Sequence, residues 1–297
     1  MDSLACRFIN LMVGPYKLKL AKGKLMDAVA VTRIQKSSGQ YSSGAFARAI
    51  DHWIFVFMAA GFLLLTLVGF IPDSLTKSAA VEAGARHPFP LILHIHAVLM
   101  GAFLLVLLAQ TTFAATGRIQ YHRRLGLLAA VLVPAIVVAG FILVPTMYRY
   151  VWDAAQKAPP EARAKLHEAV LRKDNIVLLQ LRMGILFPLF MIIGLRARDD
   201  NPSMHKRMMI LAVAMVLPPA IDRILWLPST LPASPLTTDL YTLLAVLPMF
   251  AWDLIRTKSI KQAYVIWLSI NLPFAVAVHG LWGSQWWHAV APRLVMV

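Results

Sequence analysis

Cysteine and charged side chains are both scarce in this chain of 297 residues. Its single cysteine, Cys6, excludes an internal disulfide bond and any zinc or iron–sulfur site built from several cysteines. Only 14% of the residues are charged and 59% are hydrophobic, whereas soluble domains carry about a quarter charged residues. The composition therefore excludes an ordinary soluble domain and indicates a membrane protein.

Several motifs of known enzyme chemistry are also missing from the sequence. There is no H-E-x-x-H pair for a zinc protease, no Walker loop for nucleotide phosphates and no G-x-S-x-G nucleophile turn. A carboxylate-rich diphosphate motif, as used in prenyl transfer, is lacking as well. The sequence supports none of these activities, names no catalytic residue and leaves open whether the protein is an enzyme.

Long apolar stretches are the strongest positive signal, because a helix needs about 20 apolar residues to cross the hydrocarbon core. They predict an all-α protein, a polytopic transmembrane helical bundle of about seven spans within residues 51–288. The sixth stretch is short, so six spans plus a re-entrant segment is the alternative. The seven stretches are 53–71, 91–116, 125–148, 176–195, 208–226, 241–255 and 263–281.

Positive charge outweighs negative charge, with 29 Lys and Arg against 14 Asp and Glu. With the N-terminus inside, the inner segments hold 18 of these cations and the outer segments hold nine, while Arg182 and Arg223 lie within spans. Lys and Arg concentrate on the cytoplasmic side of membrane proteins, so this distribution predicts an N-inside, C-outside topology. The anionic lipid of the inner leaflet then explains the charge, which does not indicate a nucleic-acid partner.

The N-terminal residues 1–50 are basic and then rich in Ser and Gly. They are either a flexible cytoplasmic tail or a short amphipathic helix at the membrane interface. Met26 is an alternative start of the protein. Neither reading gives this segment a chemical role.

Two outer segments have signals of their own. A proline followed by Ala, Leu, Lys and Glu predicts a surface helix at about 159–173, which is either a lid or a solvated connector. Residues 289–297 are expected to form a short outer tail. Three tryptophans before this tail are expected to form an interfacial belt: Trp282, Trp286 and Trp287.

Charged side chains inside a span are costly and usually face the interior of the bundle. Arg182 needs an anionic partner, for which Asp222 is nearest in depth and Asp174 is second. Two prolines at 218–219 weaken the fifth span just before Asp222 and Arg223, and broken helices often line cavities. The pattern predicts either a structural ion pair or an outer-half site for an anion or carboxylate, lined by Arg182 and Arg223.

Two histidines open the second span. His94 and His96 are two residues apart, about 200° around a helix, so one helix cannot aim both rings at one ligand. Helical offsets from His96 lead along one face to Gln110. His96 is therefore predicted to face the bundle, and His94 to point towards headgroups or the loop.

Histidines also occur in pairs at matching depth. His122 and His205 begin spans on the inner side, while His96 and His279 lie near the outer side. Two neutral imidazoles on facing helices can hold a b-type haem or a transition-metal ion. Because basic residues flank His122 and His205, contact with lipid phosphate is the alternative. A continuous fifth span would also place His205 and Arg223, 18 residues apart, on one face.

Three phrases carry a family resemblance: HIHAVLMGAFLLVLLAQ, GRIQYHRRLGLLA and HKRMMILAVAMVLPPAIDR. They resemble an uncharacterised family of bacterial multi-pass membrane proteins, with a span that opens with His, an HRxxG turn and an HxRxM…R span. The resemblance covers about residues 90–226 and implies a helical bundle in the bacterial inner membrane. The residues that fit the pattern are His96, Gln110, His122, Arg123, Gly126, His205, Arg207, Met208 or Met209, and Arg223.

A weaker likeness exists to two haem-linked groups. One is the transmembrane di-haem cytochromes that pass electrons from ascorbate to ferric iron, and the other is the small membrane factors that assist terminal-oxidase assembly. The di-haem cytochromes use histidine on four successive helices. The fourth span here offers Gln180 and Arg182 but no histidine, so only part of that pattern is present.

Three hypotheses of function follow. In the first, the protein is redox-associated and holds haem b or a metal through His96, His122 and His205, with arginines that bind propionates or another anion. In the second, it is a transporter or a lipid- or quinone-binding protein that uses Arg182 and Asp222. In the third, it is an assembly or scaffold subunit whose partner is a larger membrane complex.

Overall fold

A computed structural model describes residues 44–296 of the chain. Of these residues, 83% are helical and none lies in a strand, which confirms the all-α prediction. Most of the predicted N-terminal segment, including Cys6 and Met26, lies outside the described residues. The helices, in chain order, are α1 (Ala45–Glu82), α2 (Leu91–Ala115), α3 (Ile119–Gln156), α4 (Pro160–Arg196), α5 (Pro202–Ala214), α6 (Pro218–Ile221), α7 (Leu236–Thr257), α8 (Gln262–Leu281) and α9 (Gln285–Met296).

The chain divides into two compact units at Trp53. Of the first unit the structure describes residues 44–53, where α1 begins and the ring of His52 lies beside that of Trp53, with centroids 5.2 Å apart. The second unit, residues 54–297, contains the rest of α1 and all the later helices. The candidate sites lie within the second unit.

Six of the described helices are long and apolar enough to cross a membrane, namely α1, α2, α3, α4, α7 and α8. They correspond to six of the seven predicted stretches. The stretch predicted at 91–116 is α2 almost to the residue. The short sixth stretch belongs to α7, a helix of 22 residues, because α7 also includes a polar first turn that hydropathy had left out.

The fifth stretch, predicted as one span over 208–226, is broken in the structure. Helix α5 ends at Ala214, and α6 covers only Pro218–Ile221. Proline has no N–H and its ring clashes with the preceding helical turn, so consecutive prolines end α5. The expectation that His205 and Arg223 share one helix face is therefore wrong, because they lie on either side of this break.

Helix α5 is deeply buried over its second half. Asn201 caps its start by accepting a hydrogen bond from the Met204 N–H at 3.0 Å, and Pro202 fits the first turn. The side chains of Met208 and the whole run 210–214 are 0% exposed. The second half of α5, residues 208–214, is apolar on every side, as expected of a helix that other helices surround.

Two predicted outer segments belong to longer helices. The surface helix predicted at 159–173 begins at Pro160 as expected but continues without a break to Arg196, so it is the first part of α4. Residues 289–296, which we expected to form a tail, make up most of α9, and Ala291 is 0% exposed. The tail residues fold because one face of α9 packs on the bundle.

Asp174 of α4 holds α9 in place. Its carboxylate accepts hydrogen bonds from the Tyr148 hydroxyl at 2.6 Å and bonds to Nδ1 of His288 at 2.9 Å. Its backbone carbonyl accepts the indole N–H of Trp287 at 2.7 Å. Trp287 is therefore a buried anchor of α9 rather than part of an interfacial belt, whereas Trp286 is 61% exposed.

We predict that Gly69→Ala destabilises the protein. A Cβ at Gly69 would lie 2.7 Å from the carbonyl carbon of Ala220, so α1 and α6 would have to move apart. Overpacking of this kind costs about 1–3 kcal/mol. Gly61→Ala is the matched control in the same helix, since a Cβ there meets no atom within 4 Å. Thermal unfolding in detergent should show a lower midpoint for Gly69→Ala and an equal or higher one for Gly61→Ala. Equal midpoints for both variants would show that this close approach does not limit stability.

Candidate functional site

Arg182 of α4 is the centre of a buried polar cluster. Its Nη1 donates to Oδ1 of Asp239 at 2.6 Å, and the residue is 5% exposed. Its Nε and Nη2 both donate to Oδ1 of Asn271, at 3.1 and 2.9 Å. The guanidinium therefore joins α4 to α7 and α8, and an anion and an amide oxygen compensate its burial.

Asp239 also connects this cluster to a histidine. Its Oδ2 lies 2.9 Å from Nε2 of His279, at the end of α8. The carboxylate thus bridges a cation and an imidazole with its two oxygens. Asp239 lies in the first turn of α7, where the helix N-terminus further favours a negative charge.

A cavity of about 620 Å³ opens beside this cluster, between α7 and α8. Volumes of about 300–1,000 Å³ are typical of small-molecule sites. Arg182, Asp239, Asn271 and His279 form its polar part. Its other walls are formed by Thr242, Leu243, Trp267, Leu268, Leu272, Ala275, Val276 and Gly280.

The cavity walls reach the surface of the bundle. Leu272 is 62% exposed and Val276 is 64% exposed. Both side chains belong to a helix that is long and apolar enough to cross a membrane. In a bilayer these residues would face acyl chains, so the cavity combines a polar end with an apolar side open to lipid.

The polar part still has hydrogen-bond donors that the protein does not use. A guanidinium has five N–H donors, and the three bonds of Arg182 occupy one each on Nε, Nη1 and Nη2. The side chain of His279 is 37% exposed. Its Nε2 faces the Asp239 carboxylate, which can only accept, so in a neutral imidazole Nδ1 offers a lone pair and accepts a hydrogen bond. The arrangement can bind a ligand that offers carbonyl or hydroxyl oxygens.

The structure corrects the predicted partners of Arg182. Asp222, expected to be nearest, follows α6 and is not among the described residues that bond to Arg182. Asp174, the second choice, is bound by Tyr148 and His288. The sequence reasoning missed Asp239 because it lies two residues before the apolar stretch 241–255. The sequence signal for Asp239 was an acidic residue in the first turn of a helix. A search for polar residues only inside the apolar stretches could not find it.

Arg223 does not complete an anion site with Arg182. Its Nε donates to Oδ2 of Asp73 in α1 at 3.1 Å, and its guanidinium stacks over Phe70 at 4.6 Å. Among the described residues that line the cavity, Arg223 does not occur. Two arginines predicted to share a site therefore belong to two different clusters.

The two histidines of α2 point in different directions, as the helical angle predicts. His94 is exposed, and its ring lies 6.3 Å from that of Phe89. His96 is partly buried, and a Cβ at Gly140 of α3 would lie 3.7 Å from its Cε1. Nδ1 of His96 and Oε1 of Gln110 are both buried without a hydrogen-bond partner.

His122 and His205 form a close pair, as their matching depth suggests. Their ring centroids are 6.4 Å apart and the ring planes are nearly perpendicular, at 88°. Nδ1 of His122 lies 3.1 Å from the backbone oxygen of Gln110, and Nδ1 of His205 lies 2.8 Å from that of Gly194. Four elements, α2, α3, α4 and α5, meet at this point.

The predicted outer pair does not form in the same way. His96 packs against α3, whereas His279 bonds to Asp239 in α7. Within residues 44–296, no group of three or more His, Cys, Asp or Glu side chains could hold a metal ion. His96, His122 and His205 therefore do not form one ligand set, and of the two predicted pairs only His122 and His205 lie in ring contact.

No family model matches the chain, and no curated protein or solved structure is similar to it. The family resemblance of residues 90–226 thus stays an expectation. Function has to be inferred from the cavity and from the residues around it.

We predict that Arg182→Met destabilises the protein by about 3–5 kcal/mol, because it leaves the Asp239 carboxylate partly buried beside an apolar side chain. The double variant Arg182→Met/Asp239→Leu should regain at least half of this loss, since it removes both charges. Arg163→Met, at an exposed position of the same helix, should change stability by less than about 0.5 kcal/mol. Unfolding in mixed detergent micelles measures all three. If the double variant is no more stable than Arg182→Met, the buried charge of Asp239 is not the main cause of the destabilisation.

Proposed function

We propose that this is an integral membrane protein that binds a neutral, lipid-soluble ligand with a polar ring, of the quinone type, in the cavity between α7 and α8. The observation that carries the proposal is the Arg182–Asp239–His279 cluster at the end of an otherwise apolar cavity. A polar group of the ligand would bind to this cluster. The rest of the ligand would pack against leucine and valine.

Charge balance favours a neutral ligand over an anionic one. The guanidinium of Arg182 and the carboxylate of Asp239 are in contact at 2.6 Å and cancel one another. An anion would have to compete with Asp239 for the same guanidinium, and the desolvated carboxylate would repel it. A quinone carbonyl needs only a hydrogen-bond donor, which the remaining N–H groups of Arg182 supply.

The apolar side of the cavity favours entry from the bilayer. Leu243, Leu268, Leu272 and Val276 line the cavity and are all at least 44% exposed. Such residues cost little in a hydrocarbon environment, and a lipid-soluble ligand can reach the cluster between α7 and α8 without crossing water. A water-soluble substrate would have no equivalent path along these residues.

We further propose seven passes with the N-terminus inside and the C-terminus outside, in the bacterial inner membrane. The broken segment α5–α6 would be the seventh pass, shielded from lipid by the six longer helices. Inner segments carry 18 Lys and Arg against nine in outer segments, which supports this orientation. The cavity would then open in the outer half of the bilayer, where α7 begins and α8 ends.

We predict that a short-chain quinone quenches the fluorescence of Trp267, which lines the cavity. Purified protein in nanodiscs should show saturable quenching, and Trp267→Phe should lose most of it. Ala275→Phe should lower the affinity by at least about tenfold, because a phenyl ring fills part of the cavity. Ala277→Phe is the matched control, since residue 277 is exposed two positions further along α8 and does not line the cavity.

Two results would contradict the proposal. One is equal quinone affinity in Ala275→Phe and Ala277→Phe. The other is a phospholipid with an anionic headgroup that binds more tightly than the quinone and is displaced by Ala275→Phe. The second result would keep the cavity as a binding site and change the class of its ligand.

A further inference from the structure

We propose that His122 and His205 bind a single copper(I) ion, with the thioether of Met209 as a third donor. This site lies at the start of α3 and α5 and does not depend on the cavity between α7 and α8. A ring contact between two histidines can also be purely structural. Three features of the pair go beyond what packing requires.

The first feature is the protonation of both rings. A backbone carbonyl can only accept a hydrogen bond, so the Nδ1 atoms that contact Gln110 and Gly194 must carry the proton. In a neutral imidazole the lone pair is then on Nε2. Metal-binding histidines are usually fixed in this way, with one nitrogen donating to a carbonyl and the other bound to the metal.

The second feature is the distance between the rings. A nearly linear N–Cu–N unit, which the sulfur joins from the side, has bonds of about 2.0 Å and a ring centre about 1.1 Å behind each nitrogen. It places the two centroids about 6.2 Å apart. The observed separation is 6.4 Å, with perpendicular ring planes. A single ion needs no further room.

The third feature is a soft donor beside Gly194, the residue that binds His205. Met209 follows His205 by one helical turn and so shares its face of α5. Its Sδ lies 3.1 Å from the position that a Cβ would take on Gly194, whose carbonyl binds His205. Thioether and imidazole donors together select copper(I) over harder divalent ions.

Local charge also favours a monovalent ion. Arg123 and Arg124 follow His122, and Lys206 follows His205. These cations repel a divalent ion more strongly than a monovalent one at the same distance. A site of two histidines and one methionine contains no carboxylate, so it is compatible with the lack of a larger His/Cys/Asp/Glu cluster among residues 44–296.

The test is anaerobic titration of the full-length protein with copper(I) against a chromogenic copper(I) chelator. A Cys6→Ser background removes the single thiol, which would bind copper(I) by itself. We expect one tight ion per chain, and at least about a 100-fold loss of affinity in His122→Ala/His205→Ala. Met209→Leu, which keeps the side-chain volume, should lose about tenfold, and His94→Ala should bind like the parent protein.

Copper X-ray absorption of the loaded protein gives a second measurement, with two nitrogen neighbours and one sulfur neighbour expected. If the alanine double variant fails to fold, as judged by size-exclusion chromatography and circular dichroism, His122→Gln/His205→Gln replaces it. Three outcomes overturn the proposal: copper(I) affinity equal in the parent and the double variant, tighter binding of zinc than of copper(I), or reduced-minus-oxidised haem bands that the double variant loses.

Discussion

The cost of a buried guanidinium is the constraint on which the candidate site depends. Arg182 lies in a helix apolar enough to cross a membrane and is 5% exposed, so its charge must be neutralised within the bundle. Asp239 supplies the charge, and Asn271 supplies a neutral acceptor for two further N–H groups. Asp239 lies in the first turn of α7 and Asn271 lies midway along α8. The contacts that compensate Arg182 of α4 therefore hold the start of α7 and the middle of α8 against α4. The cavity exists beside this junction.

A second buried ion pair holds the other end of the same two helices. Arg207 of α5 donates to Asp253 of α7 at 2.6 Å, and the Tyr264 hydroxyl of α8 donates to the same carboxylate at 2.6 Å. Asp239 and Asp253 are 14 residues apart, about 21 Å and four turns along α7. Polar contacts therefore hold α7 and α8 together near both ends. The cavity lies at the Asp239 end, where Thr242 and Leu243 of α7 face α8 residues from Trp267 to Gly280.

Hydropathy was sufficient for the architecture of the described chain because six helices are long apolar runs. Hydropathy did not predict the features that depend on a single residue, such as where a helix ends. The stretch 208–226 is apolar as far as Ile221, yet Pro218 ends α5 within it. Asp239 was missed because a helix can extend past the apolar run that reveals it. Orientation within one helix was predictable, as His94 and His96 show, since it needs only the 3.6-residue period. The partners of Arg182 and Arg223 were not, because they depend on which helices are neighbours, and sequence spacing does not contain that information.

The break in α5 also explains how the cavity wall is held. In a continuous helix the Leu211 carbonyl would accept the N–H of Met215, four residues on. Here the Met215 N–H bonds to Ala212 and the Leu217 N–H bonds to Ala214, as the chain tightens before the N–H-free Pro218. The Met215 N–H therefore does not bond to the Leu211 carbonyl, whose residue is 0% exposed, and a buried carbonyl without a partner is costly. It accepts the indole N–H of Trp267 at 3.1 Å instead, and Trp267 lines the cavity. The two prolines thus help to position Trp267 in the cavity wall. They divert the Met215 N–H from the Leu211 carbonyl, which then accepts the indole N–H of Trp267.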